Sequence, residues 1–264
     1  MATVGAVYEY LDKKAPFHLQ MDFDNAGFLV GRKGAEVAKT LVSLDITEEV
    51  VEEAERIGAE LIVSHHPVIF HPARSVTDET VTGRVVMGLL DGGIAAICAH
   101  TNLDAVAEGV NDALAKALGL SEVSQLSQDG LDEQGRPYGI GRVGLVTEQT
   151  PEQFAAVVKR ALGAGGVRYV DGGRPVRRVA VGGGACGDFL WEAAALECDA
   201  FVTADLKYNH FLDAQALGLT VIDAGHFPTE DVVCPVLERY LGERFPGVEI
   251  KKSSSHREAI QYYV

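Results

Sequence analysis

Residues 60–75, ELIVSHHPVIFHPARS, run an apolar segment straight into two adjacent histidines and a proline. Two related pairings follow. AHTNLD sets His100 and Asp104 four residues apart, and GHFPTE sets His226 and Glu230 four residues apart. Imidazoles and carboxylates grouped in this way suit zinc, manganese or iron. Consecutive side chains on an extended strand point to opposite faces. His65 and His66 therefore do not easily share one ion, but they can serve two ions about 3.5–4 Å apart. A carboxylate has two oxygens, so Asp104 or Glu230 can also bridge a metal pair. Pro67 biases His66 towards extended geometry and helps fix the turn. Any one of these groups alone also reads as a polar strand end. Their recurrence at three matching places argues for a dinuclear centre. The other histidines are weaker: His71 reads as a loop residue, and His18, His210 and His256 have no comparable partners, although His210 is near enough to TADLKYN to line a cleft.

The elements that must hold these residues alternate. KTLVSLD (39–45) reads as a strand, and ITEEVVEEAERIG (46–58) as an amphipathic helix capped by Thr47 and stopped by Gly58. AELIVS (59–64) is the next strand. A helix over 80–93, a strand over 94–100 and a helix over 110–120 follow. Residues 127–144 are polar and glycine-rich, a loop or lobe boundary. A second unit then opens with a strand over 141–147 and a helix from Pro151 to Leu162. It continues through RRVAVGGG, the helix DFLWEAAALE, the strand AFVTAD, a helix ending near Leu217 and the strand LTVIDAG. Such alternation predicts an α/β fold of mixed or mostly parallel sheets covered by helices. The segments 41–67 and 179–207 run alike at nearly equal length, which suggests a duplicated unit. The expected division is 1–125 plus 222–264 for a first lobe carrying most metal ligands, and 126–221 for a second. Each candidate ligand then falls at or just past a strand's C-terminal end, where α/β proteins bind ligands.

One motif points elsewhere. Gly182-x-Gly184-x-x-Gly187 follows a strand and precedes a helix, and Asp205 ends the next strand, as in a dinucleotide fingerprint. Too few strand–helix repeats follow to build that fold. The glycines are expected to make a tight turn, and no nicotinamide or flavin cofactor is expected.

Composition narrows the classes. The 264 residues are 47% hydrophobic and 23% charged, ordinary for a soluble globular protein. The formal net charge of −15 opposes non-specific nucleic-acid binding, which needs a basic footprint. The first residues lack a basic stretch followed by an apolar one, so no signal peptide is expected, and no apolar run approaches the ~20 residues of a membrane span. Cys98, Cys186, Cys198 and Cys234 are scattered without a C-x-x-C pair, fitting a reducing, cytoplasmic setting.

Taken together, MDFDNAGFLVG, SHHPVIF, AHTNLDAVAEGVND, RPYGIGRVG, FVTADLKYNH and VIDAGHFPTE resemble the GTP cyclohydrolase 1 type 2 homologues, the NIF-three-like proteins, over nearly the whole chain. The resemblance implies two intertwined, similar α/β lobes, a dinuclear metal site and a toroidal homohexamer. It places the ligands of two divalent ions on His65, His66, Asp104, His226 and Glu230, with Glu230 bridging. His100 matches a site histidine suited to shuttle a proton or orient a ligand. Asp24, Asn25 and Asp205 are weaker candidates to line the cleft. The implied activity is hydrolysis of a small molecule, a nucleotide or phosphate ester. The alternative is a non-enzymatic metal-binding, metal-delivery or scaffold protein.

Overall fold

The segments 39–43, 61–64 and 95–98 become strands because their central side chains are apolar and are buried on both faces, leaving no face for water. Leu41, Val42, Ile62, Val63, Ala96 and Ile97 are fully buried. Strands buried on both faces belong in parallel sheets, with helices as crossovers. The computed structural model describes residues 2–132 and 135–263, and it divides the chain into two compact units.

The first unit holds residues 1–103 and 233–257. Its five-stranded sheet runs in the order Glu249–Lys252, Lys39–Ser43, Leu61–Ser64, Ala95–Cys98, Gly27–Val30. The first four strands are mutually parallel, and Gly27–Val30 is antiparallel to its neighbour. The helix Glu48–Ile57 starts where expected: the Thr47 hydroxyl accepts from Val50 N, and Gly58 ends it in the left-handed conformation at φ 68°. The helix Val81–Asp91 is capped in the same way by Thr80. Both cover an apolar cluster that includes Leu41, Val50, Ile62 and Leu89.

The second unit holds residues 104–232 and 258–264. Its six-stranded sheet runs Arg168–Val170, Thr220–Asp223, Ala200–Thr203, Val176–Val181, Arg142–Gln149, Ser121–Gln125. The strands at 176–181, 200–203 and 220–223 are parallel, and the outer three are antiparallel to their neighbours. Each unit thus has a core of parallel strands with antiparallel additions, a mixed α/β fold. Buried Arg142 ties loop to sheet here, bonding both oxygens of Asp112 and the carbonyls of Val106, Gly139 and Gly141.

The unit boundaries differ from the expected 126–221. The chain leaves the first unit at Leu103, inside the short helix Thr101–Ala105, and returns at Val233. The reason is strand pairing. Thr220–Asp223 adds parallel to Ala200–Thr203, so that strand and the helix His226–Glu230 after it stay with the second sheet. Asp104, His226 and Glu230 consequently belong to the second unit, and His65, His66 and His100 to the first. The stretch 127–144 is a loop as expected, apart from a short hairpin of Gly130–Leu131 with Pro137–Tyr138 and the start of strand Arg142–Gln149. Residues 133 and 134 of that stretch lie outside the described residues.

Candidate metal centre

In the first unit His65 and His66 lie just past the strand Leu61–Ser64, and their backbone N–H groups donate to Ser43 O and Leu44 O. His100 lies just past Ala95–Cys98, and its N–H donates to the Asn102 side chain at 2.9 Å. Register across this parallel pair sets Ser64 against Cys98, so the three histidines leave neighbouring strand ends together. Their ring centroids are 5.0, 5.2 and 5.4 Å apart, and each offers a nitrogen within 4.8 Å of the others.

The Nδ1 atoms decide what those rings can do. His65 Nδ1 lies 2.8 Å from Ala99 O; a carbonyl only accepts, so Nδ1 carries the proton and Nε2 is the lone-pair nitrogen. His66 Nδ1 lies 2.7 Å from Asp45 Oδ1, and His100 Nδ1 lies 2.7 Å from Asp24 Oδ1. Carboxylate anchors of this kind fix tautomer and ring orientation for metal binding through Nε2. Asp24 is fully buried in its side chain and also accepts from Thr101 N and Oγ1. Burial pushes its pKa up, but the bonds from His100 and Thr101 outweigh that and pull it to about 2. Asp45 falls below the ordinary carboxylate range in the same way: burial opposes ionisation, and the bonds from His256 and His66 prevail.

The second unit brings together the other three candidates. His226 and Glu230 stand four apart on a five-residue helix, a spacing that puts them on one face. His226 Nε2 and Glu230 Oε2 are 2.9 Å apart, and His226 Nδ1 is 2.6 Å from Asp205 Oδ2. Glu230 and Asp104 are both buried, with donor oxygens within 4.8 Å of each other. Asn111 connects them to the glycine turn: its amide donates to Asp104 O at 3.0 Å and its oxygen accepts from Gly183 N at 2.9 Å. Thr229 Oγ1 accepts from Gly184 N at 3.1 Å. Gly184 sits at φ +64°, and a Cβ there would lie 2.1 Å from Glu230 Oε1 and 3.2 Å from His226 Cε1. The Gly182–Gly187 turn is therefore built against the unit's own carboxylate. Cys186, within that turn, donates its thiol to Gly183 O at 3.1 Å. Burial pushes its pKa far up, and the Asp104, Glu230 and Asp188 carboxylates push the same way, so it stays a thiol.

These donor sets fit a divalent ion on their own chemistry. Imidazoles are locked with Nε2 as the lone-pair atom in one unit, and buried carboxylates stand beside an oriented imidazole in the other. His100 has the same anchored geometry as His65 and His66, so geometry alone does not set it apart. Asp24 and Asp205, weak candidates by sequence, prove to be histidine anchors. Asn25 instead donates to Ile69 O at 2.5 Å. His210 packs against Gly187, and its Nδ1 accepts from Lys207 N. Sequence reasoning passed over Asp45 and gave His256 no comparable partner, whereas His256 Nε2 lies 2.9 Å from Asp45 Oδ2. The meeting depends on strand order: Asp45 lies just past Lys39–Ser43, the strand beside that of His66, and His256 lies past Glu249–Lys252, one strand further out.

A mixed α/β chain whose strand ends gather anchored histidines and buried carboxylates belongs to the class of candidate metal-binding α/β proteins. The particular family is Duf34/NIF3 (NGG1p interacting factor 3), whose model matches residues 2–258, and the chain belongs to it. It is 33% identical over 259 residues to the GTP cyclohydrolase 1 type 2 homolog of Clostridium perfringens, covering 97% of this chain and 98% of that protein. It is 38% identical over 249 residues to the homolog of the same name from Streptomyces coelicolor, covering 92% and 87%. Among solved structures, the Bacillus cereus protein related to NIF3 superposes with a TM-score of 0.93 at 25% identity, covering 99% of each chain. Among the described residues no helix is long and apolar enough to cross a membrane, and the cysteines form no disulfide.

Proposed function

We propose that the protein is a metal-dependent hydrolase in which His65, His66, Asp104, His226 and Glu230 hold two divalent ions, zinc, manganese or iron. The observation that carries this reading is the anchoring of imidazoles: His65, His66 and His226 each have Nδ1 tied to an acceptor, which turns Nε2 towards a ligand role. When bound, the ions supply an activated water at neutral pH and polarise the electrophile under attack. The chain's own groups do the rest. Glu230, with two oxygens and a glycine turn behind it, would be the carboxylate available to both ions. Asp24, Asp45 and Asp205 hold His100, His66 and His226 in register. His100, anchored by an ionised carboxylate, holds or passes a proton.

The substrate class follows from the relatives' name and the donor set: a nucleotide, attacked in the purine's five-membered ring or at a phosphate ester. Self-association into a toroidal hexamer and a reducing cytoplasmic setting complete the proposal; light scattering after size-exclusion chromatography tests the hexamer. Elemental analysis of protein reconstituted with each metal is the central test, followed by a hydrolysis screen over nucleotides and phosphate esters. Two equivalents of metal with turnover supports the hydrolase. Two equivalents with no turnover supports storage or delivery instead, and one equivalent or none defeats the dinuclear reading.

A further inference from the structure

The first unit contains a second imidazole acting on Asp45. His256 Nε2 lies 2.9 Å from Asp45 Oδ2, while Asp45 Oδ1 takes His66 Nδ1 at 2.7 Å. One carboxylate thus joins two histidines that are 190 residues apart in the chain. The sheet explains the meeting. Glu249–Lys252, Lys39–Ser43 and Leu61–Ser64 are adjacent parallel strands, so the segments leaving their C-terminal ends are neighbours. Those segments carry His256, Asp45 and His66 in that order.

His256 does not hang loosely there; its side chain is 11% exposed. Its N–H donates to Ser253 Oγ at 3.1 Å, and Ser253 N–H donates to Val42 O at 2.7 Å. The turn is gathered by buried Glu53 from the helix Glu48–Ile57. Glu53 accepts from Ser253 Oγ at 2.5 Å, from Ser254 Oγ at 2.7 Å and from the N–H groups of Ser254 and Ser255 at 3.1 and 3.0 Å. A buried carboxylate placed to satisfy four donors in one turn fixes where the next residue, His256, enters.

We infer that His256 is a positioning residue for the metal centre: it clamps the second oxygen of Asp45, and through Asp45 sets the ring orientation and tautomer of His66. This rests on the metal reading above. A side chain with one carboxylate oxygen bonded can rotate about Cβ–Cγ, whereas both oxygens bonded fix its plane, and with it the direction in which Nδ1 of His66 is held. The Glu53–Ser253–Ser254–Ser255 turn is the device that locates the clamp.

The test uses the full chain and zinc or cobalt as probes. Zinc affinity is read by competition with a chromophoric chelator, and the cobalt absorption spectrum reads ligand geometry. His256→Ala is expected to bind the same number of ions about 10-fold more weakly or worse, with a shifted cobalt spectrum. His256→Gln, whose amide N–H can donate to Asp45, is expected to recover most of the affinity. Thr150→Ala, which breaks the capping box of the second-unit helix Pro151–Ala161, is expected to lower the melting temperature and leave affinity and spectrum unchanged. Should His256→Ala fail to fold by circular dichroism, His256→Leu keeps volume without the N–H and carries the same expectation. A His256→Ala protein that binds zinc as tightly as the parent, with the parent's cobalt spectrum, overturns the inference while leaving the metal reading standing. A parent protein that takes up no zinc defeats the metal reading and this inference with it.

Discussion

Gly184 directly backs Glu230: a Cβ on this glycine would stand 2.1 Å from Oε1 of the carboxylate. Gly184 also adopts φ +64°, a left-handed conformation that costs an L-residue on the order of 1 kcal/mol. Gly184→Ala should therefore meet both strain and collision. The expected result is a loss of about 2 kcal/mol or more in urea unfolding, with metal affinity reduced at least about 10-fold. Gly173→Ala is the control, because it has φ +78° but open space around its Cβ. It should lose only about 1 kcal/mol and bind metal normally. Equal behaviour of the two variants would show that the glycine turn does not support Glu230.

The carboxylates and His100 separate by metal count. On the proposed assignment Glu230→Gln, which removes the charge of the shared carboxylate, should strip or badly weaken both ions, whereas Asp104→Asn should mainly weaken one. His100→Ala should keep two equivalents while lowering any hydrolysis. Its anchored ring makes this the sharpest of the three, since loss of a full equivalent by elemental analysis from a folded His100→Ala protein would make His100 a ligand.

Glu53 supplies a pH dependence of stability. Burial pushes its pKa up, but hydrogen bonds from Ser253, Ser254 and Ser255 prevail and pull it down to about 2. A carboxyl depressed by folding contributes stability that is present above its unfolded pKa and is lost as pH falls through the folded value. The window therefore runs from roughly pH 4.5 down to about 2, and the full contribution is on the order of 3 kcal/mol. Glu53→Gln should be less stable than the parent at about pH 6, and the gap should narrow by about pH 3 in denaturant titrations. A gap that stays constant with pH would rule out the ionised carboxylate as its source.

The Gly182–Gly187 motif should bind no nicotinamide dinucleotide. Gly183 N is bonded to Asn111, Gly184 N is bonded to Thr229, and the cradle behind Gly184 holds Glu230. Calorimetric titration with NAD and NADP is expected to give no binding heat; a micromolar dissociation constant would contradict the assignment.

Local chemistry determined much of this protein. Period and caps marked the helix Glu48–Ile57 between Thr47 and Gly58, and apolar runs marked the parallel strands, because those signals act within a turn or two of the chain. For the same reason, the residue types and spacings of His65, His66, His100, Asp104, His226 and Glu230 marked side chains that could hold a metal ion. Strand order was decided only in three dimensions. Nothing local says that Glu249–Lys252 pairs with Lys39–Ser43, so nothing local could bring His256 to Asp45 or place Asp45 behind His66. The same holds for the unit boundary at Asp104 and for Gly184, which reads as part of a nucleotide motif along the chain and lies against Glu230 in the fold. Long-range pairing is set by the burial of whole sheets, and that free energy is spread over many residues and confined to no motif.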